Sequence, residues 1–146
     1  MLKIVGIKHE ISEKYFRGNA IETKFLGHLT SVQEAASEQL LKSDNGILVA
    51  PAGSGKTVIG ISIIASRKVN TLVLVHRHPL LEQWLAQLAS FLEIDPLNIG
   101  QIGGGKDKRT GIIDVAMLQS LMRNERVNDL VAEYGQVIID ECHHLP

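Results

Sequence analysis

The stretch Ile47-Leu48-Val49-Ala50-Pro51-Ala52-Gly53-Ser54-Gly55-Lys56-Thr57 decides how the rest of the chain is read. Its first four residues form an unbroken apolar run, the pattern of a strand covered on both faces, and they predict a central parallel strand. Asn45-Gly46 before it makes a turn. After it, the chain passes through two glycines into the helical pattern of about Thr57 to Arg67. Glycine reaches backbone conformations closed to other residues, so successive N–H groups can wrap a phosphate at the positive end of the following helix. The residues set against the phosphates are Ala52, Gly53, Ser54, Gly55, Lys56 and Thr57. Lys56 would bring a mobile charge near the β- and γ-phosphates of a nucleotide, and the Thr57 hydroxyl would coordinate Mg²⁺. The usual pattern begins with glycine where this chain has Ala50, but the tightest turns fall at the later glycines. The plainer alternative is a glycine-rich turn followed by an ordinary surface lysine.

Working outward, Thr30 followed by Gln33 has the spacing of a capping box, and Val32, Ala36, Leu40 and Leu41 recur at helical intervals, so a helix is predicted to about Lys42. Beyond the loop, the pattern predicts a strand over Thr71–Val75 and a helix from about Pro79 to Leu92. Strands follow at Ile99–Ile102 and Ile112–Ala116, separated by the Gly103-Gly104-Gly105 loop. Helices around Leu118–Met122 and Asn128–Tyr134 precede a last strand, Gln136–Asp140. Strand and helix alternating at this spacing predict an α/β layered fold with a mostly parallel sheet. Trp84, with Leu81, Leu85, Leu88 and Phe91, reads as the apolar stripe of a core helix. Residues 1–24 carry no recognisable chemistry and form a lead-in of uncertain fold.

The last strand ends in Asp140-Glu141, and strand ends in open α/β sheets are where ligands bind. Beside a phosphate loop, Asp140 is the expected partner of Mg²⁺ through its water shell, and Glu141 is placed to polarise the water that attacks the γ-phosphate. Without that loop, two solvated acids would be the simpler reading.

Composition bounds the partners. The chain has 146 residues, 45% of them hydrophobic, which suits one globular domain. Fifteen Lys plus Arg against sixteen Asp plus Glu leave a formal net charge of -1, so any contact with a polyanion must be local. A single cysteine, Cys142, excludes an internal disulfide framework and fits a cytoplasmic protein. Neither a signal peptide nor a membrane span is expected. Cys142, His143 and His144, with His76 and His78, do not converge naturally on one zinc ion.

Taken in order, APAGSGKT, TLVLVHRHPLLEQW, IGGGK, VAMLQSL and VIIDECHH resemble the first half of a superfamily-two helicase, and within it the XPB-like and type III restriction subunit branch. The likeness runs from Phe25 to Pro146 and implies a three-layer, RecA-like P-loop NTPase lobe over residues 25–146. It implies ATP and Mg²⁺ as cofactors, with Lys56, Asp140 and Glu141 as catalytic residues and Thr57 and Asp140 at the metal. It assigns Gln33 to the adenine edge, although Leu29-Thr30-Ser31-Val32 lacks the Arg-Pro context frequent there. His143 falls at the position that couples the nucleotide site to movement. Phe25 is left between stacking on the base and stapling the core.

Nucleic-acid contacts implied by the same likeness are Arg77, Gly104, Lys106, Gln119 and Ser120, which would hold phosphates without reading bases. The alternative for Lys106, Lys108 and Arg109 is a solvated hairpin. DNA, single-stranded or duplex, is favoured over RNA by the family likeness alone. The resemblance further implies a second RecA-like lobe, absent from this sequence, that supplies an arginine to the site, and a nuclease or repair partner. The function expected is therefore the ATP-binding lobe of a DNA helicase or translocase; the alternative is a stand-alone nucleotide-binding regulatory module without turnover. Without a second lobe, the chain is expected to bind nucleotide weakly and hydrolyse it poorly.

Overall fold

Five consecutive β-branched or leucine residues, Thr71–Val75, are all buried, and the main sheet assembles around them. The computed structural model of the protein describes residues 3–6, 17–123 and 127–141. Its elements run β1 (Lys3–Gly6), α1 (Ser31–Leu41), β2 (Gly46–Val49), α2 (Lys56–Arg67), β3 (Thr71–Val75), α3 (His78–Phe91), β4 (Ile99–Gly103), β5 (Lys106–Lys108), β6 (Ile113–Met117), α4 (Leu118–Arg123), α5 (Val127–Val131) and β7 (Gln136–Ile139). The main sheet has the order β5-β4-β6-β3-β7. Pairing is parallel between β3 and β6, β3 and β7, and β4 and β6; β5 alone runs antiparallel, beside β4.

Successive side chains of a strand point to opposite faces. Val73 and Val75, with Ile113 and Val115 of β6, pack against Ile61 and Ile64 of α2 and Leu81, Trp84 and Leu88 of α3. Leu72 and Leu74, with Ala116, pack against Leu121 of α4, Leu130 of α5 and Tyr134. Helices thus cover both faces, giving the three-layer α/β arrangement and explaining why the inner strands are apolar throughout. Among the described residues, no helix is long and apolar enough to cross a membrane.

Local chemistry sets the element ends. Thr30 caps α1 in a capping box with Gln33, and Pro79 occupies the first turn of α3, where its missing N–H goes unused. Gly103 pairs with Lys106, leaving Gly104-Gly105 as a two-residue hairpin turn with φ of 65° and 86°. Positive φ at both central residues is what a tight hairpin of native twist demands.

One expectation fails. The Ile47–Ala50 run does not form a central parallel strand: β2 lies outside the five-stranded sheet and pairs antiparallel with β1. An apolar run specifies burial, not a backbone partner. Here Leu48 gets its burial from helices, packing beside Ala36 of α1 and Ile59 and Ile63 of α2, while Val49 remains 49% exposed.

The N-terminal ends of the strands are stitched by two buried polar hubs. The Asn70 side chain accepts from the Asn19 and Gly135 N–H groups and donates to the Gly111 and Glu133 carbonyls. Asp114, fully buried, accepts from both the N–H and hydroxyl of Thr110, the Gly111 N–H and the Tyr134 hydroxyl at 2.6 Å. Burial first, and then the Asp114 hydrogen bond, push the Tyr134 hydroxyl far above the usual phenol range. The folded state therefore favours the protonated phenol, and the stability this contributes is present below the unfolded value of about 10 and lost as pH rises above it. Tyr134→Phe is expected to cost about 1.5–3 kcal/mol at neutral pH. In urea unfolding, the gap between wild type and variant should narrow as pH is raised from 7 to about 11.

Candidate functional site

The loop between β2 and α2 takes the geometry its glycines permit. Gly53 and Gly55 have φ of 76° and 81°. Gly55 caps α2 in the left-handed region with no side chain capping the helix, so its leading N–H groups are left for the loop side. Thr57 and Ile59 then bury the first turn. The Ser54 N–H closes the turn on the Pro51 carbonyl at 3.2 Å. The Ser54 hydroxyl is buried and has no hydrogen-bond partner among the described residues, and a Cβ on Gly53 would meet nothing within 4 Å. A spare donor, open space over a glycine and an uncapped helix start together fit a phosphate.

Gln33 reaches this loop from α1. Its amide nitrogen donates to the Ser54 carbonyl at 3.0 Å, while its amide oxygen accepts from the Thr30 N–H at 3.0 Å. The side chain named for the adenine edge is thus engaged in bracing the loop. Phe25 takes the core alternative: its ring lies against Phe91 at 6.3 Å, tilted by 34°.

The acidic pair is positioned by strand register. Leu74 lies opposite Ile139, and the Asp140 N–H donates to the Leu74 carbonyl at 3.0 Å. The Asp140 carboxylate accepts from the Trp84 indole N–H at 2.8 Å. Glu141 is held at φ 53°, a left-handed conformation uncommon for a residue with a side chain. Its carboxylate lies 3.5 Å from the His76 imidazole. Leu74, His76, Leu118, Asp140 and Glu141 line one small cavity.

The residues named for nucleic acid gather at the same, C-terminal, end of the sheet. Arg77, exposed at the start of α3, donates from Nε to His76 Nε2 at 3.1 Å. Gln119 donates to the His76 carbonyl at 2.6 Å. The hairpin turn is wedged between helices: a Cβ on Gly103 would collide with Ser120, and one on Gly104 with Leu81. Lys106 is exposed at the start of β5. Arg109 is elsewhere, paired with Glu133 and 6.0 Å from the Tyr134 ring centre. His143 and the neighbouring Cys142 and His144 lie outside the described residues.

Sequence reasoning passed over two members of this cluster. Trp84 reads as core, and it is, but a buried indole N–H needs an acceptor, and that need was the available signal. His76 gives no local signal; only the β3–β7 register brings it to Glu141.

A mostly parallel sheet with a left-handed glycine loop entering a buried helix, and an acidic pair at a strand end, defines a lobe of the P-loop α/β class. The chain belongs to the family described as type III restriction enzyme, res subunit, whose model matches residues 26–146, and it is an N-terminal lobe of the superfamily-two helicase kind. It is 36% identical over 118 residues to the DNA 3'-5' translocase XPB2 of Sulfurisphaera tokodaii, covering 81% of this chain and 26% of that protein. Identity is 29% over 150 residues to the general transcription and DNA repair factor IIH helicase/translocase subunit XPB of Encephalitozoon cuniculi, with 92% of this chain and 22% of that protein covered. With the DNA 3'-5' helicase XPB of Mycobacterium tuberculosis it is 27% over 124 residues, 81% of this chain and 22% of the other. The chain thus spans about a quarter of the length of these relatives.

The loop geometry separates its two glycines. Alanine at either position meets a left-handed penalty of about 1–2 kcal/mol. At Gly55 the new Cβ would also collide with the Gln33 amide nitrogen, displacing it from Ser54. Gly55→Ala should therefore lower the thermal midpoint more than Gly53→Ala, as read by calorimetry on both variants.

Proposed function

We propose that this chain binds ATP with Mg²⁺ and acts as the nucleotide-binding lobe of a DNA helicase or translocase. The observation that carries the reading is the left-handed Gly53–Gly55 loop, with the buried Ser54 hydroxyl unpartnered among the described residues, at the head of α2. In this reading, the N–H groups of residues 53–57 cradle the β-phosphate, and Lys56 sets its charge against the β- and γ-phosphates. Thr57 and Asp140 hold the metal, Asp140 through water. Magnesium, when bound, offsets the charge that develops on the transferred phosphoryl group. Glu141 orients the attacking water and draws off its proton. Gln33 braces the loop and meets the adenine edge, and His143 links the site to movement.

Hydrolysis gains its directional use from the other residues at this end of the sheet. Arg77, Gly104, Lys106, Gln119 and Ser120 would grip a phosphate backbone by charge, amide and hydroxyl, without base readout. The names of the three relatives above refer to DNA, and one belongs to a transcription and DNA repair factor; these support DNA as the track and repair machinery as a partner. A second RecA-like lobe would close over the nucleotide and supply an arginine to the site.

The test is steady-state ATP hydrolysis by the protein carrying this lobe with its second one, with duplex DNA, single-stranded DNA or RNA added. Stimulation by DNA, abolished by Lys56→Ala together with Mg²⁺-ATP binding, is the expected result. Measurable ATP binding with no stimulation by any polymer would replace the motor by a regulatory module without turnover.

A further inference from the structure

Trp84 is the chain's single tryptophan. It is 2% exposed, and its ring touches the candidate site at two points. At one end, the indole N–H donates to Asp140 Oδ2 at 2.8 Å, across 56 residues of sequence. At the other, the six-membered ring lies on α2, where a Cβ added to Gly60 would stand 2.8 Å from Trp84 Cη2. The helix it touches is the one that opens with Lys56 and Thr57. One rigid bicyclic ring therefore spans from the phosphate-loop helix to the carboxylate at the end of β7. The glycine at position 60 is what lets the ring come that close.

An indole N–H can only donate, so it holds the carboxylate by one oxygen and leaves the other for a different ligand. The Asp140 main chain is tied to Leu74, and the Trp84 bond removes the remaining side-chain freedom. We propose that Trp84 is a positioning residue: its N–H fixes the Asp140 carboxylate, and its ring sets the spacing between that carboxylate and the Lys56–Thr57 end of α2. The proposal rests on the reading of Asp140 as the partner of Mg²⁺ through water. Groups that orient a metal partner in this way change metal affinity by about 10–100-fold when removed.

The test is ATP binding by this chain, followed by calorimetry without metal and across a Mg²⁺ series. Trp84→Phe keeps an aromatic ring and deletes the N–H. It should raise the Mg²⁺ concentration for half-maximal enhancement of ATP binding by about tenfold while leaving metal-free ATP binding unchanged. Gly60→Ala, which pushes on the far end of the ring, should shift the Mg²⁺ dependence in the same direction. A purely structural role would weaken binding with and without metal alike; that result, or an unchanged Mg²⁺ dependence, overturns the proposal. Wild-type emission gives a readout that survives even if Trp84→Phe fails to fold. With no other tryptophan present, Mg²⁺-ATP should shift the fluorescence of Trp84, and Asp140→Asn should abolish the shift. Binding by calorimetry with no change in emission overturns the proposal. If Asp140→Asn itself leaves the Mg²⁺ dependence intact, the assignment of Asp140 is what has failed, and Trp84 falls with it.

Discussion

The parallel pairing of β3 with β7 holds the candidate site in place. Its register, Thr71 with Gln136 through Leu74 with Ile139, brings the residues that follow each strand side by side: His76 after β3, Asp140 and Glu141 after β7. That register is dictated from below. Val73 and Val75 face α2 and α3 while Leu72 and Leu74 face α4 and α5, and a slip of one residue would send every side chain to the wrong layer. Full burial of a Val or Leu side chain contributes about 1.5–3 kcal/mol, roughly twice the net worth of a typical hydrogen bond. Core packing therefore decides where the acids stand, and the loops adapt to it.

Two buried polar hubs and the loop residues around the candidate site differ in how far their hydrogen bonding is met. At the N-terminal ends of the strands, two buried side chains are well satisfied: that of Asn70 makes four hydrogen bonds and that of Asp114 another four. In the loop after β2 the Ser54 hydroxyl is buried without a partner among the described residues, and after β7 Glu141 sits at positive φ. Unmet hydrogen-bonding capacity and local strain persist only where the surrounding structure enforces them. Here the enforcing structure is the pair of apolar layers on either face of the sheet.

What the sequence alone disclosed follows the range of each interaction. The capping box at Thr30, the glycine loop, the Pro79 helix start and the Thr71–Val75 strand depend on neighbours within a few residues, and each is found where the pattern put it. The partner of Gly46–Val49 was illegible, because four apolar residues announce burial without saying which backbone edge completes the hydrogen bonds. The pairing came from Lys3–Gly6, in a segment without chemistry of its own. Likewise, Gln33 displays its capping role locally, while its bond to Ser54 spans 21 residues and needs the folded α1 to be seen. Trp84 and His76 belong to the same class: their residue types and burial are local facts, their partners tertiary ones.

His76 shows how little structure is needed to connect the two halves of the site. Its Nε2 accepts from Arg77 Nε at 3.1 Å and stands 3.5 Å from the Glu141 carboxylate. Accepting from Arg77 requires a bare ring nitrogen, whereas donating to Glu141 requires a proton on that same nitrogen. One atom cannot satisfy both at once, and the shorter distance belongs to Arg77. Gln119 holds the His76 carbonyl from α4, so the imidazole hangs from a fixed main chain and only its ring can answer to either neighbour. The candidate backbone-gripping residues and the candidate water-activating residue are thus joined through a single imidazole at the end of β3, with no path through the hydrophobic core required.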